Sequence, residues 1–227
     1  YKVYSIAFSL SGELIATASE DKTVKLWKSE DGSLFKTLTG HEKKVLSVTF
    51  SPDGNLIASA DSGKNAIIWK SDGSLVRILE GHSGTIFRIA FSHDGKFIAT
   101  VSADQTIKLW TSDGDLVDTL EGHSNWVYNA VFSPKGNLIA SASMDTTVKL
   151  WKYTAIANTF PEYHCRRIAF NPKGDFIALA CYDWRFYLLN SNATFIASEK
   201  SSSDVNSVAF NPKNDLIVTG NKDGTVE

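Results

Sequence analysis

The sequence predicts an all-β protein built as a serial array of four-stranded antiparallel sheets, and three observations predict it. Gly-His recurs at Gly40-His41, Gly81-His82 and Gly122-His123, 41 residues apart each time, and a tryptophan follows each histidine after 28 residues, at Trp69, Trp110 and Trp151. Each copy then reads as a β-branched run ending in phenylalanine, a turn, a Leu/Phe-Ile-Ala run, a polar turn and the tryptophan segment. No segment sustains the 3.6-residue hydrophobic period of an amphipathic helix. A fixed period of this size marks units that cannot bury both faces alone and must stack on their neighbours.

Phenylalanines at Phe8, Phe50, Phe91, Phe132, Phe170 and Phe210 anchor six units, spanning about 1–39, 42–80, 83–121, 124–160, 162–199 and, incomplete, 202–227. In the first four the tryptophan lies 19 residues after the phenylalanine, at Trp27, Trp69, Trp110 and Trp151; the fifth unit has Leu189 there. The corresponding place in the sixth falls two residues past Glu227, and the first histidine would fall two before Tyr1, so a piece of a longer array is expected. The third unit shows the elements in order. Ile86, Ile89 and Phe91 give a first strand, closed by the turn Ser92-His93-Asp94-Gly95. Phe97, Ile98, Ala99 and Val101 give a second, buried strand, and Thr106-Ile107-Lys108-Leu109-Trp110 an alternating third. Asp113-Gly114 supplies the tight turn into a fourth strand with Leu116, Val117 and Leu120.

Composition bounds the function. With 43% hydrophobic, 11% aromatic and 21% charged residues, the 227-residue chain has material for a packed interior and a polar surface. A net charge of −2 gives no global attraction to nucleic acid or anionic membrane. There is no transmembrane-length apolar run and no signal peptide, which points to a cytoplasmic protein. Cys165 and Cys181 fall on adjacent strands of one hairpin; a disulfide is open to them, but reduced buried thiols are the expectation in a reducing cytosol. Neither metal-ligand spacing nor a phosphate-binding glycine loop is present, so no metal and no cofactor is expected.

Gly-His, Ser-Pro-Asp-Gly and Ser-x-Asp-x-Thr-Val-Lys-Leu-Trp, seen most fully at His123, Ser143, Asp145 and Trp151, resemble the WD-repeat β-propeller family over the whole chain. The Trp-Asp dipeptide itself is absent, with Lys28, Lys70, Thr111 and Lys152 after the tryptophans. The resemblance implies a β-propeller of four-stranded blades, five complete and a sixth incomplete. It also implies a non-catalytic protein–protein interaction scaffold. The Ser-Asp-Gly-x-Leu hairpins are similar to those of bacterial, notably cyanobacterial, multi-repeat WD proteins, so a sensor or regulatory domain of a larger signalling or defence protein is the alternative. A propeller hydrolase or nucleic-acid binder is the third reading.

His82, Ser102 and Asp104 contain the residue types of a hydrolase triad, and His123, Ser143 and Asp145 repeat them. A catalytic site is needed once. The family's blades instead carry a hydrogen-bonded chain of histidine, serine or threonine, aspartate and tryptophan, so the expected network is His82, Ser102, Asp104 and Trp110; His123, Ser143, Asp145 and Trp151; and Ser19, Asp21 and Trp27. In unit two Asp61 and Gly63 replace the serine and turn aspartate; unit five has Pro161, Cys181 and Leu189 for three members; unit six has Ser201, Asn221 and Asp223.

The family binds partners on the face carrying the loops between blades and the turns between second and third strands. Residues mapped to that face are Lys44, Phe87, Trp126, Tyr128, Met144, His164, Arg166, Tyr182 and Trp184, the richest sets lying in units four and five. They suit a protein or peptide, acidic where it meets the arginines; nucleic acid and membrane are disfavoured. Open blade edges at the chain ends would permit self-association.

Overall fold

The computed structural model describes residues 1–136, 138–152, 155–160, 163–192, 194–213 and 216–227, and among them there are strands and no helix. Blade one is β1 (Val3–Phe8), β2 (Leu14–Ser19), β3 (Val24–Lys28) and β4 (Leu34–Leu38). Blade two is β5 (Val45–Phe50), β6 (Leu56–Asp61), β7 (Ala66–Lys70) and β8 (Leu75–Leu79). Blade three is β9 (Ile86–Phe91), β10 (Phe97–Ser102), β11 (Ile107–Thr111) and β12 (Leu116–Leu120). Blade four is β13 (Val127–Phe132), β14 (Ile139–Ser143), β15 (Val148–Lys152) and β16 (Ala155–Phe160); blade five is β17 (Cys165–Phe170), β18 (Phe176–Cys181), β19 (Arg185–Asn190) and β20 (Phe195–Lys200). Blade six has β21 (Val205–Phe210) and β22 (Ile217–Asn221), with Val226 bridging to Gly220 where a third strand begins. Every sheet is a sequential antiparallel meander. The chain divides into two compact units, Tyr1–Leu120 with blades one to three and Glu121–Glu227 with blades four to six.

Within each unit, the period-2 alternation of the second strand decides how blades stack. In Ile57-Ala58-Ser59-Ala60, the large isoleucine shares one face with the serine while the alanines occupy the other. Ile57, Ile67 and Trp69 pack against Ala16 and Ala18 of blade one, whereas Ala58 and Ala60 receive Ile86, Ile89 and Ile98 of blade three. Blades four and five follow the same rule, with Ala140 and Ala142 against Ile177, Leu179 and Leu189. A small face on one blade thus admits the large face of the next. Gly40 takes part in this closeness: its φ is +157°, and a Cβ there would sit 3.1 Å from the Trp69 ring.

Two features of the pairing bear on function. Each first strand carries a one-residue bulge at the same place, so that Tyr4, Leu46, Phe87, Tyr128, Arg166 and Asn206 oppose no partner residue. Bulges re-aim side chains. Second, the register sets Cys165 directly opposite Cys181, and the structure joins them as a buried disulfide, correcting the expectation of two thiols. Position explains it: the same pair is Val127 and Ser143 in blade four, neighbours across the hairpin.

Candidate functional site

The polar chain of blade three begins at the indole of Trp110, whose Nε1–H donates to Thr100 Oγ1 at 2.9 Å. Thr100 lies 2.8 Å from His82 Nε2, and His82 Nδ1 lies 2.6 Å from Asp104 Oδ2. One set of donors satisfies all of it: indole N–H to hydroxyl, hydroxyl O–H to Nε2, and Nδ1–H to carboxylate, with a neutral imidazole. Asp104 closes the loop by accepting from Ser83 N, Thr106 N and Thr106 Oγ1. Blade four repeats the pattern, with Trp151 to Ser141 at 2.8 Å, Ser141 to His123 at 2.7 Å and His123 to Asp145 at 2.7 Å. In blade one Trp27 donates to Thr17, and Asp21 is held by Thr23 and Lys25.

The linking hydroxyl is therefore not the one expected. Ser19, Ser102 and Ser143 each lie two residues further along the strand and accept from the backbone N–H of Asp21, Asp104 and Asp145, bracing the turn. The pleat gives the reason. Trp110 opposes Ile98, so Thr100 is its diagonal neighbour on the same face, while Ser102 is roughly 13 Å beyond Ile98 along the strand. Blade two corrects a second expectation. Its chain is complete, because Asp61 itself takes His41 Nδ1 at 2.9 Å, Ser59 joins His41 to Trp69, and Gly63 N donates to Asp61.

These groups are buried, and burial shapes their titration. Burial tends to raise Asp145, but hydrogen bonds from Thr147 and His123 overcome it and hold the carboxyl at about 2. Asp104 is likewise pulled well below the carboxylate range against its own burial, by His82 and Thr106. His123 is pushed down by burial, with Asp145 opposing. In blade four both shifts favour a neutral imidazole beside a charged carboxylate, which is what a one-way hydrogen-bond chain requires. Recurring in three blades, it ties the loop ahead of each first strand to the turn after each second strand.

Blade five departs. Leu179 and Leu189, both fully buried, stand where the hydroxyl and the indole stand elsewhere, and Tyr187 O–H donates to Asp183. Tyr187 meets Tyr163 edge-on, with ring centroids 4.8 Å apart. Pro161, in the histidine's place, lies outside the described residues.

Tying loop to turn also assembles the outward face. In blade four Met144 N donates to Trp126 O, and in blade five Tyr182 N donates to His164 O, each at 2.8 Å. Trp126, Met144, Tyr182 and Trp184 are 45%, 49%, 39% and 50% exposed. Trp126 stands edge-on to Tyr128 with centroids 6.5 Å apart, and Trp184 sits at a turn apex with φ 64°. Tyr128, Met144, His164 and Tyr182, with Ser143, Thr146 and Cys165, line a cleft of about 400 Å³ between blades four and five. Burial raises the Tyr128 phenol, Tyr182 adds to this, and the Arg166 charge works against it. Lys44 and Phe87 belong to the other compact unit; Lys44 pairs with Glu20, and Phe87 is half-buried. The equivalent cleft there, of about 360 Å³, is lined by Glu42, Lys43, Ser62, Gly63, Asn65 and Thr85 among others and has no aromatic. No group of three or more metal-ligating side chains occurs among the described residues.

Sequence reading missed Thr100, Ser141 and Ser59 as the linking hydroxyls, although each precedes its tryptophan by ten residues. The profile of the WD domain, G-beta repeat matches residues 1–28, 32–70, 73–111, 114–152 and 189–227. A curated relative, nuclear distribution protein PAC1 of Mycosarcoma maydis, is 49% identical over 37 residues, which are 16% of this chain and 8% of that protein's length.

Proposed function

The chain belongs to the WD domain, G-beta repeat family, whose members generally bind other proteins, and on that premise we propose that it is a non-catalytic interaction platform whose partner docks on blades four and five. The observation that carries the reading is the contrast between two equivalent clefts. One is walled by Tyr128, Met144 and Tyr182 and flanked by exposed Trp126 and Trp184; the other, of similar volume, is lined by glycine, polar and charged residues such as Glu42, Lys43 and Ser62 and by no aromatic. Large amphipathic side chains of this kind supply most of the energy in protein interfaces. Arg166, aimed outward by its bulge, gives the face positive charge, so the partner surface is acidic. The histidine–hydroxyl–carboxylate chains support the same reading, since they hold the loops that present these residues.

Trp126→Ala combined with Arg166→Ala is expected to weaken partner capture by at least about tenfold with an unchanged melting curve, as loss of central anchors does. Retained affinity in that variant, with loss on changing Lys44 and Leu46, would place the docking surface on blade two instead.

A further inference from the structure

Cys165 and Cys181 face one another across the β17–β18 hairpin, beside the bulge where the loop before blade five meets the turn after its second strand. The same register position holds Val3 and Ser19, Ile86 and Ser102, and Val127 and Ser143 in blades one, three and four. There the serine accepts from the N–H of the turn aspartate, and in blades three and four the loop histidine bonds that aspartate's carboxylate. Hydrogen bonds thus fix the corner. Blade five has neither device: Cys181 stands in the serine's place, and Asp183 accepts from Tyr187 within its own hairpin. Among the described residues, Tyr182 N to His164 O is the hydrogen bond between this blade's loop and turn, and the sulfur pair supplies a covalent tie beside it.

We propose that this bond is a site of thiol–disulfide exchange, a reversible redox clasp on the outward corner of blade five that a dithiol reductant opens. Cys165 lines the cleft of about 400 Å³ together with Met144, Thr146, His164 and Tyr182, whereas Cys181 is fully buried and lines no part of it. A thiolate of the reductant therefore attacks Cys165 Sγ; the bond to Cys181 breaks, and Cys181 leaves as a thiolate that takes a proton. The second thiol of the reductant then attacks the mixed disulfide, releasing Cys165 as a thiol and closing the reductant into a cyclic disulfide. Two electrons and two protons pass from dithiol to protein. Opening is local, because the bond joins residues 16 apart while the strands beyond it keep their own pairing, from Arg167 with Ala180 to Phe170 with Ile177. His164 and Arg166 flank one sulfur, and Tyr182 and Trp184 follow the other, so the clasp holds blade five's share of the outward face. Resting on the platform reading above for this one consequence, the oxidised chain is the form that captures the partner more tightly.

The test equilibrates the full chain, without denaturant, in mixtures of reduced and oxidised dithiothreitol, traps free thiols with iodoacetamide and counts them by mass, and follows amide exchange in each state. Both thiols should appear together and vanish on reoxidation, with cooperative melting kept throughout. Amides of residues 163–167 and 181–184 should exchange at least about tenfold faster in the reduced chain, while the matching corner of blade three, 84–88 and 101–104, stays unchanged. Cys165→Val combined with Cys181→Ser gives blade five the pair that blade four carries; its corner should exchange slowly and ignore the reductant. Cys165→Ala combined with Cys181→Ala, which brings no hydroxyl to brace Asp183 N, should exchange as fast as the reduced chain. Thiols that appear only when the chain melts, a reduced chain whose corner exchanges no faster, or reduction that unfolds blades four to six together would overturn the proposal. A corner that opens on reduction while partner capture is unaltered would keep the clasp and remove blade five from the docking surface. Capture lost in the Trp126 and Arg166 double variant, in a chain that resists reduction, would sink the clasp alone and leave the platform standing.

Discussion

Blades four and five occupy one compact unit and share one topology, yet one is closed by a polar chain and the other by leucines. In blade four Trp151, Ser141, His123 and Asp145 bond in series; in blade five Leu189 and Leu179 fill the places of Trp151 and Ser141. The difference teaches that the chain is replaceable only as a set. Removing a hydroxyl and its indole donor together leaves no orphaned group, whereas removing one strands the other in the interior. Blade six shows the half-made case. Ser201 stands in the histidine's place, and Ser201 Oγ, Thr219 Oγ1 and Asn221 Oδ1 are buried without a partner among the described residues.

The largest effect is expected in blade five, where stability rests on volume. Leu179 is fully buried against Ala140, Ala142 and Leu189, so Leu179→Ala should cost about 2–5 kcal/mol in thermal or denaturant unfolding. A loss below about 1 kcal/mol would show that this blade is not closed by leucine packing. Leu179→Ser sharpens the point: without an indole at Leu189 to donate to it, the new hydroxyl should do no better than alanine.

Next in size is the polar chain itself. Thr100→Ala removes the acceptor of Trp110 and the partner of His82, and should cost about 1–3 kcal/mol. Ser102→Ala removes only a turn bond to Asp104 N and should cost less, on the order of 0.5–1 kcal/mol. The reverse ranking would restore Ser102 as the linking residue.

Acid separates the two blades without mutation. His123 is depressed by burial and Asp145 is held at about 2, so both contribute stability that is present above their unfolded values and lost as pH falls. Loss should begin below about pH 6.5 through His123 and continue from about pH 4 towards 2 through Asp145. Leu179 and Leu189 do not titrate. Amide exchange should therefore open β13 and β14 ahead of β17 and β18 on acidification, and simultaneous opening would count against a titrating chain in blade four.

Much of this was legible in the sequence, for physical reasons. Gly-His recurs because Gly40 packs under the Trp69 ring, and strand alternation shows because each sheet face meets a different neighbour. The pairing of each loop with the turn of the same blade was legible because both repeat in register. The linking hydroxyl was obscured because Thr100 and Ser102 lie two apart on one face, where residue type alone does not choose between them. Asp61 was obscured because it reaches the histidine from the strand end instead of the turn. The cleft needed three dimensions, since Tyr128 and Tyr182 are far apart in sequence and meet only through blade stacking.

The smallest expected effect repairs blade six. In blade four the imidazole spans the distance between Ser141 and Asp145; Ser201→His would set an imidazole between Thr219 and Asp223 in the same way. Thr219 Oγ1 would gain the partner it lacks, and Asp223, already held by Thr225, would accept from Nδ1. The gain is expected at about 1 kcal/mol, near that of a typical buried hydrogen bond, because Asp223 is exposed and its share is screened by solvent. Slower amide exchange across β21 and β22 with a slightly raised melting temperature is the expected result. A lowered melting temperature, with Ser201→Ala neutral, would mean that the space beside Thr219 is closed to an imidazole and that blade six has settled into its own packing, as blade five has.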